Sequence, residues 1–479
     1  MKQRPKLLVV GGGMTGLSAA FYLQRYAEED DVPVQIIVAE KTGKFGGRIH
    51  TLRRDGFVFE KGPDSFLARK TPILDLSREL ELMSELTGTN PKAQKTNILK
   101  EKEFHLIPPG LVLGVPTQWA PFLASRLISP EGKRRVAEDV TLPVGKENGD
   151  ESLGDFLERR MGKEMLEHVV EPLLAGIYAG DTYKLSLQAT FPQFQQAEKH
   201  AGSLILGMME NQKKARASAA PEDIPQEARS SAFLTFTGGL QVLIGKLEQT
   251  LRSQNHVELR ENCGVSSFDK RKDGYLVRFE DGKEEKVDGI VLTTPNFHSC
   301  ELLSSLPSAK PLRDISYVSV ANVILAFEEE EIKHVLDGTG FLVPRKEGRT
   351  ITACTWTSAK WLHTAPEGKV LLRFYVGRSG DEGWTEWNDE ELVSRVKEDL
   401  HDLMGVTAEP LFYEVTRLYK SMPQYPVGHL DAIRRLRRDL REHMPGVFVT
   451  GAGFEGVGLP DCIRQGRDTA KELIHHIKG

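Results

Sequence analysis

The chain has 479 residues, 39% hydrophobic and 27% charged, and its 63 Lys and Arg against 68 Asp and Glu leave a formal charge of −5. That balance excludes a disordered or fibrous chain, gives no basic excess for nucleic acid, and at this length suggests about three domains. The four cysteines, Cys263, Cys300, Cys354 and Cys462, form no C-x-x-C pair, which argues against zinc, iron–sulfur and disulfide frameworks and fits a reducing cytosol.

No run reaches the ~18 consecutive apolar residues of a membrane-spanning helix. Lys2, Arg4 and Lys6 ahead of Leu7–Val10 resemble a signal peptide. Glycines interrupt that run at once, so a buried strand and a phosphate loop are the better reading. Gly11-Gly12-Gly13-Met14-Thr15-Gly16 matches G-x-G-x-x-G. Leu17–Tyr26 reads as a helix and Val34–Val38 as a second strand that closes at Glu40, 24 residues beyond Gly16. In such a unit Gly11 makes the tight turn, Gly13 admits the pyrophosphate and Gly16 permits close helix–strand packing. The helix N-terminus offers free N–H groups to phosphate, and Glu40 can accept from a ribose diol.

A second Gly46-Gly47 pair follows, with Arg48 available for phosphate or flavin. Residues 51–60 alternate around Asp55-Gly56 as a hairpin and run into Gly62-Pro63-Asp64-Ser65-Phe66. Leu106–Pro116, with Trp119, Phe122 and Leu123 and then Arg126, Lys133, Arg134 and Arg135, is preferably a buried loop and core helix. Reversible membrane contact is its second reading. Residues 213–231, polar and carrying Pro221 and Pro225, read as a mobile surface loop. Leu240–Leu251 reads as a helix, 274–279 and 285–288 as hairpin-like strands, and 289–295 as a buried strand. Ser319–Phe327, Ile351–Thr357 and Lys369–Val376 are β-like runs. Val447–Thr450 is a strand before a second glycine-rich loop, 451–460, and a final helix over Asp461–Ile477. A phosphate loop near one end and a glycine loop with helix near the other is the layout of long-chain FAD oxidoreductases.

GGGMTGLSAAFYL, GKFGGRI, EKGPDSF, EPLLAGIYAGD, SMPQYPVGH and GAGFEGVGLPDCIRQG together make a chain that resembles the HemY-type porphyrinogen oxidases. The resemblance is strongest to the Gram-positive bacterial branch, the coproporphyrinogen III oxidases long called protoporphyrinogen oxidases. It implies an α/β (α+β) amine oxidase-like fold: an FAD-binding Rossmann-like domain, a mixed-sheet substrate domain and a helical domain. We assign 1–88, 228–298 and 413–479 to the first, 89–107, 168–227 and 299–412 to the second, and 108–167 to the third, the part with the membrane-contacting alternative. The implied reaction is oxidation of a porphyrinogen to a porphyrin in haem biosynthesis, with six electrons removed through FAD and three H2O2 formed from O2. Coproporphyrinogen III is the expected substrate, protoporphyrinogen IX the alternative, and an amine or polyene the more distant one. The expected location is cytoplasmic or peripheral to a membrane, with other haem-pathway enzymes as further candidate partners.

FAD contacts carry over onto Gly11, Gly12, Gly13, Met14, Thr15, Gly16, Glu40, Lys41 and Arg48. They also carry over onto Gly62, Pro63, Asp64, Ser65, Val265, Val457, Gly458 and Leu459. A carboxylate-bearing macrocycle needs apolar walls and a few cations. Tyr178 is the wall candidate, with a core tyrosine as its alternative. Arg69 and Lys70 are the carboxylate candidates, with an exposed basic pair as theirs. Asp64 either orients the macrocycle under the flavin or is a turn residue after Pro63. The segment Lys95–Leu99 carries no arginine, so propionate recognition cannot be copied from relatives that place one there. Hydride transfer needs geometry more than acid–base groups, so no catalytic residue is assigned. The 13 histidines show no metal-binding spacing. Cys462 reads as a buried thiol rather than a covalent flavin link.

Overall fold

The computed structural model of the chain describes residues 4–145, 149–217 and 221–479. Its centre is a five-stranded parallel sheet in the order 257–260, 35–39, 6–10, 289–292 and 447–449. The apolar runs make this arrangement, because a parallel strand is covered on both faces. Side chains alternate across a strand. Leu7, Val9, Ile36 and Val38 therefore join a core with the helices Met14–Glu29, Gln241–Arg252 and Leu459–Lys478. Leu8, Val10, Ile37 and Ala39 face a second core. There they meet the small antiparallel sheet over 265–287 and the helix His429–His443.

The second body is a seven-stranded mixed sheet in the order 412–423, 317–328, 369–376, 351–356, 338–342, 95–100 and 103–106. Its pairs are antiparallel except 338–342 with 95–100. Alternation again divides the faces. Val323, Leu325, Leu372 and Phe374 pack under the helix Asp389–Met404. Asn322, Arg373 and Tyr375 turn the other way, into a large internal cavity. The segment 413–479 thus begins on this sheet, and the chain returns to the parallel sheet only at Val447.

The third body is helical, with its core built from Phe122, Val136, Phe156, Leu157, Phe194 and Ile205 among others. One helix carries a π turn, Leu166–Val170, that leads into Glu171–Tyr178. Residues 106–116 include a two-stranded hairpin, Leu111–Val112 with Val115–Pro116. Residues 213–231 depart from the loop reading, because a helix continues from Leu204 to Ala217. Its Lys and Ala residues are good helix formers, and the described chain is irregular at Pro221. Residues 218–220 of that reading, and Lys2 of the signal-peptide reading, lie outside the described residues.

Among the described residues no helix is long and apolar enough to cross a membrane, and no group of three or more His, Cys, Asp or Glu gathers as for a metal. All four cysteines are free thiols.

The helical body encloses a charge network. Arg160 is fully buried, and its Nε donates to Asp139 Oδ1 at 2.5 Å. Its Nη1 lies 3.3 Å from Glu198, which also pairs with Arg159. Removing Arg160 leaves the fully buried Asp139 without its cation. Arg160→Met should therefore cost about 3–5 kcal/mol, read as a lower denaturant midpoint. An unchanged midpoint would show that the network contributes nothing to stability.

Candidate functional site

One cavity of about 2600 Å³ joins the three bodies. Pockets for single small ligands usually span roughly 300–1,000 Å³, so this one accommodates a cofactor and a second large molecule. Gly11, Gly13, Glu40 and Val265 line one end. Leu111, Leu113, Leu173, Tyr178 and Phe341 line the other.

The glycines explain the first end. A Cβ on Gly16 would stand 1.9 Å from the Gly11 carbonyl oxygen, so only glycine lets the helix pack on the loop. A Cβ on Gly13 would meet nothing nearer than Gly47 Cα at 4.0 Å, so that backbone is bare towards the cavity. No side chain caps the helix that starts at Met14. Its N-terminus thus presents N–H groups and partial positive charge to an anion. Glu40 Oε2 accepts the Gly12 N–H at 2.7 Å, and Oε1 accepts the N–H and hydroxyl of Thr42 at 2.8 Å. A carboxylate has about four lone-pair sites, so one remains for a ribose hydroxyl. The Cys263 N–H donates to the Glu40 carbonyl at 2.7 Å, which brings Val265 to the same end. Lys41 lies at the rim, paired with Glu280 at 2.7 Å. These residues fit a dinucleotide.

Farther along, Arg48 donates to the carbonyls of Ser421 and Lys420, the latter at 3.1 Å. Burial in the surrounding protein lowers its pKa, although it opens on the cavity. Val457, Gly458 and Leu459 also line the cavity, and Gly458 precedes the final helix, which no side chain caps. Cys462 is buried beneath that terminus, and burial pushes its thiol to about 11. It therefore keeps its proton at neutral pH and is a poor nucleophile.

Between the two ends stands Asp64, flanked by Gly62, Pro63 and Ser65 on the cavity wall. Its Oδ2 lies 3.8 Å from Arg373 Nη1 and 3.9 Å from Lys360 Nζ, and Oδ1 accepts the Ser65 hydroxyl at 2.7 Å. Burial works against its charge. Lys360, Arg373 and Ser65 outweigh that effect and hold the carboxyl below its usual range. Arg373 also donates through Nη2 to the Gly62 carbonyl at 2.5 Å. Behind this wall Glu60 Oε1 accepts the Leu240 N–H at 2.7 Å and the Thr51 hydroxyl at 2.8 Å, while Oε2 has no partner. Burial pushes this carboxyl up to about 7 against those hydrogen bonds and Arg373.

Tyr178 is buried on the apolar wall, edge-on to Phe191 and Tyr425 with ring centres 6.0 and 5.9 Å away. The Gln424 amide donates to its carbonyl at 2.8 Å, and a Cβ on Gly180 would strike Gln424 Oε1 at 2.2 Å. Tyr425 donates to the Ala452 carbonyl and accepts the Gly456 N–H at 3.1 Å, which fixes the second glycine loop. His429 stacks on Tyr425 at 4.5 Å, and its Nε2 lies 2.8 Å from the Phe454 carbonyl.

The structure therefore brings the proposed cofactor residues to one cavity, except Gly12 and Gly16, which do not line it, and Asp64 and Tyr178 lie there too. Arg69 and Lys70 both line the cavity as well, Arg69 exposed and Lys70 paired with Asp461 at 2.5 Å. Sequence reading missed Lys360, Arg373 and Tyr425. A charged residue inside the apolar run Val370–Val376 was the available signal for Arg373.

The description "flavin containing amine oxidoreductase" belongs to the family model that matches residues 14–474. The chain is 40% identical over 471 residues to a coproporphyrinogen III oxidase of Bacillus subtilis, with 98% of each chain covered. It is 40% identical over 467 residues to a coproporphyrinogen III oxidase of Staphylococcus aureus, covering 97% of this chain and 98% of that one. A crystal structure from Exiguobacterium sp. 255-15, provisionally described as a protoporphyrinogen oxidase, superposes with a TM-score of 0.86 at 33% identity over 100% of both chains.

Two outcomes follow from the geometry. Gly13→Leu has open space on the protein side, so it should give a folded protein that has lost its flavin absorbance. Normal flavin content would remove the phosphate assignment. Glu60 binds a proton more tightly when folded than when unfolded, so between about pH 4.5 and 7 folding becomes less favourable as pH rises. Glu60→Gln should flatten that part of a midpoint-against-pH curve, and an identical slope would show that Glu60 does not titrate there.

Proposed function

The chain belongs to the flavin containing amine oxidoreductase family, and from that premise we propose that it oxidises a porphyrinogen to a porphyrin in haem biosynthesis. The specific reading is coproporphyrinogen III to coproporphyrin III, with FAD as the flavin and O2 as the acceptor. The names of the two bacterial relatives support it. The observation that carries it is the single cavity running from the bare glycine backbone to a wide apolar chamber.

A bound flavin would supply hydride acceptance and return the electrons to O2. The chain supplies the rest. Gly11–Gly16 and the uncapped helix terminus would hold the pyrophosphate, Glu40 the ribose, and Arg48 with 457–459 the ring end. Asp64, held anionic, can accept hydrogen bonds from pyrrole N–H groups and so turn a meso C–H towards the ring. Tyr178 and the leucines beside it exclude water. Two cations beside Asp64 oppose an ammonium substrate, which counts against the amine alternative. The provisional description of the Exiguobacterium structure favours protoporphyrinogen IX as the second substrate reading. Four free thiols support a cytoplasmic location. Exposed Leu123, whose carbonyl accepts from Lys133, supports reversible contact with a membrane surface.

The purified yellow protein, given coproporphyrinogen III and protoporphyrinogen IX separately in air, should form fluorescent porphyrin with three H2O2 per porphyrin. It should be faster on the four-carboxylate substrate. No turnover of either by protein with bound flavin would remove the porphyrinogen reading.

A further inference from the structure

The chamber wall carries one positive charge more than its own carboxylate neutralises. Arg373 sits in the strand Lys369–Val376, whose residues Val370, Leu372 and Phe374 are core, so alternation turns Arg373 to the cavity. Lys360 closes the short helix Thr357–Lys360 that follows the neighbouring strand, and it lines the same cavity. Among the described residues, Asp64 is the one carboxylate within 4.0 Å of either cation, at 3.8 and 3.9 Å. Those distances exceed hydrogen-bond contact, so Asp64 balances charge without filling the donors. Arg373 is 4% exposed, and its Nε has no partner. The Lys360 ammonium lies 5.5 Å from the ring centre of Phe233 and 5.2 Å from that of Trp361, an apolar setting for a full charge. Two other cations of the cavity are already matched, Lys70 by Asp461 and Lys41 by Glu280, whereas Arg69 is exposed to solvent and Arg48 is held by backbone carbonyls. The cofactor's phosphates have their own cradle at Gly13.

We propose that Lys360 and Arg373 form a binding site for one carboxylate of the substrate, and that this site helps select the four-carboxylate porphyrinogen over the two-carboxylate one. The inference rests on the porphyrinogen reading. A single carboxylate brings the wall to neutrality and offers two acceptor oxygens to the unfilled donors, in a desolvated place where charge-assisted hydrogen bonds are strong. Asp64 keeps acceptor capacity for the pyrrole face, because its ion pairs at 3.8 and 3.9 Å are longer than hydrogen bonds.

The test uses the flavin-loaded protein. Lys360→Met keeps the stem against Trp361 and Phe233 and removes the charge, and Lys360→Arg keeps the charge. Steady-state oxidation of both porphyrinogens is measured alongside binding of coproporphyrin III and of its tetramethyl ester by fluorescence quenching. In Lys360→Met, KM for coproporphyrinogen III and Kd for coproporphyrin III should each rise about tenfold, the loss of one charge-assisted hydrogen bond. The ester's Kd should stay put, the smaller change should fall on protoporphyrinogen IX, and Lys360→Arg should recover most of the loss. Arg373→Gln, checked for flavin content and melting temperature, should show the same pattern. Equal loss for acid and ester, or a fall in kcat with KM unchanged, would overturn the carboxylate site while leaving the function intact. A wild-type protein that turns over neither porphyrinogen would instead fail the function reading, and this inference with it.

Discussion

The cavity exists because two stretches of backbone touch with no side chain between them. Gly46 donates its N–H to the Gly12 carbonyl at 2.9 Å, and Gly13 and Gly46 form a β-bridge. Gly47 carries φ +59°, a conformation that glycine adopts at little cost. A Cβ on Gly12 would stand 2.3 Å from the Phe45 ring, and one on Gly47 would come within 3.2 Å of Gly13 Cα. A side chain at Gly12 would wedge the loops apart and move the helix terminus that opens on the cavity. The parallel sheet, the loop that carries Arg48 and the wall that carries Asp64 are all hung from this contact.

The second organising point is Tyr425. It touches Tyr178 on the helical body and His429 on the helix packed under the parallel sheet. Through its hydroxyl it also bridges Ala452 and Gly456 of the second glycine loop. Burial keeps its phenol protonated and lowers the pKa of His429, so the stack is neutral near pH 7. A neutral hydrogen-bonded stack fixes geometry without placing a charge near the flavin end. The SMPQYPVGH segment therefore acts through position: Met422 and Pro423 line the chamber, while Gln424 and Tyr425 hold its walls in register.

The glycine loop and its carboxylate were legible in the sequence because their spacing is local. Gly16 packs on Gly11, and the spacing to Glu40 is set by one helix and one strand, although Gly11 and Gly12 also meet the distant Thr293 and Phe45. The final strand, loop and helix were legible for the same reason. The group at Asp64 was not. Asp64, Lys360 and Arg373 come from separate segments, and their meeting depends on the register of the mixed sheet and on which of its faces is dry. Alternation along 369–376 shows that Arg373 and Leu372 face opposite ways, but the bare pattern does not say which side holds the chamber. Lys70 carries the same lesson. It lines the cavity, but its partner Asp461 arrives from the far end of the chain, which no local reading shows.

That far end also covers the beginning of the fold. The last strand, Val447–Val449, adds the edge of the parallel sheet, and the helix Leu459–Lys478 packs on the first helix so closely that a Cβ on Gly466 would stand 2.6 Å from the Thr15 carbonyl oxygen. A chain cut before Val457 would keep the bare Gly13 backbone but lose both the cavity residues Val457–Leu459 and the helix that shields the first helix from water. The apolar side of that first helix would then be a sticky surface rather than a core.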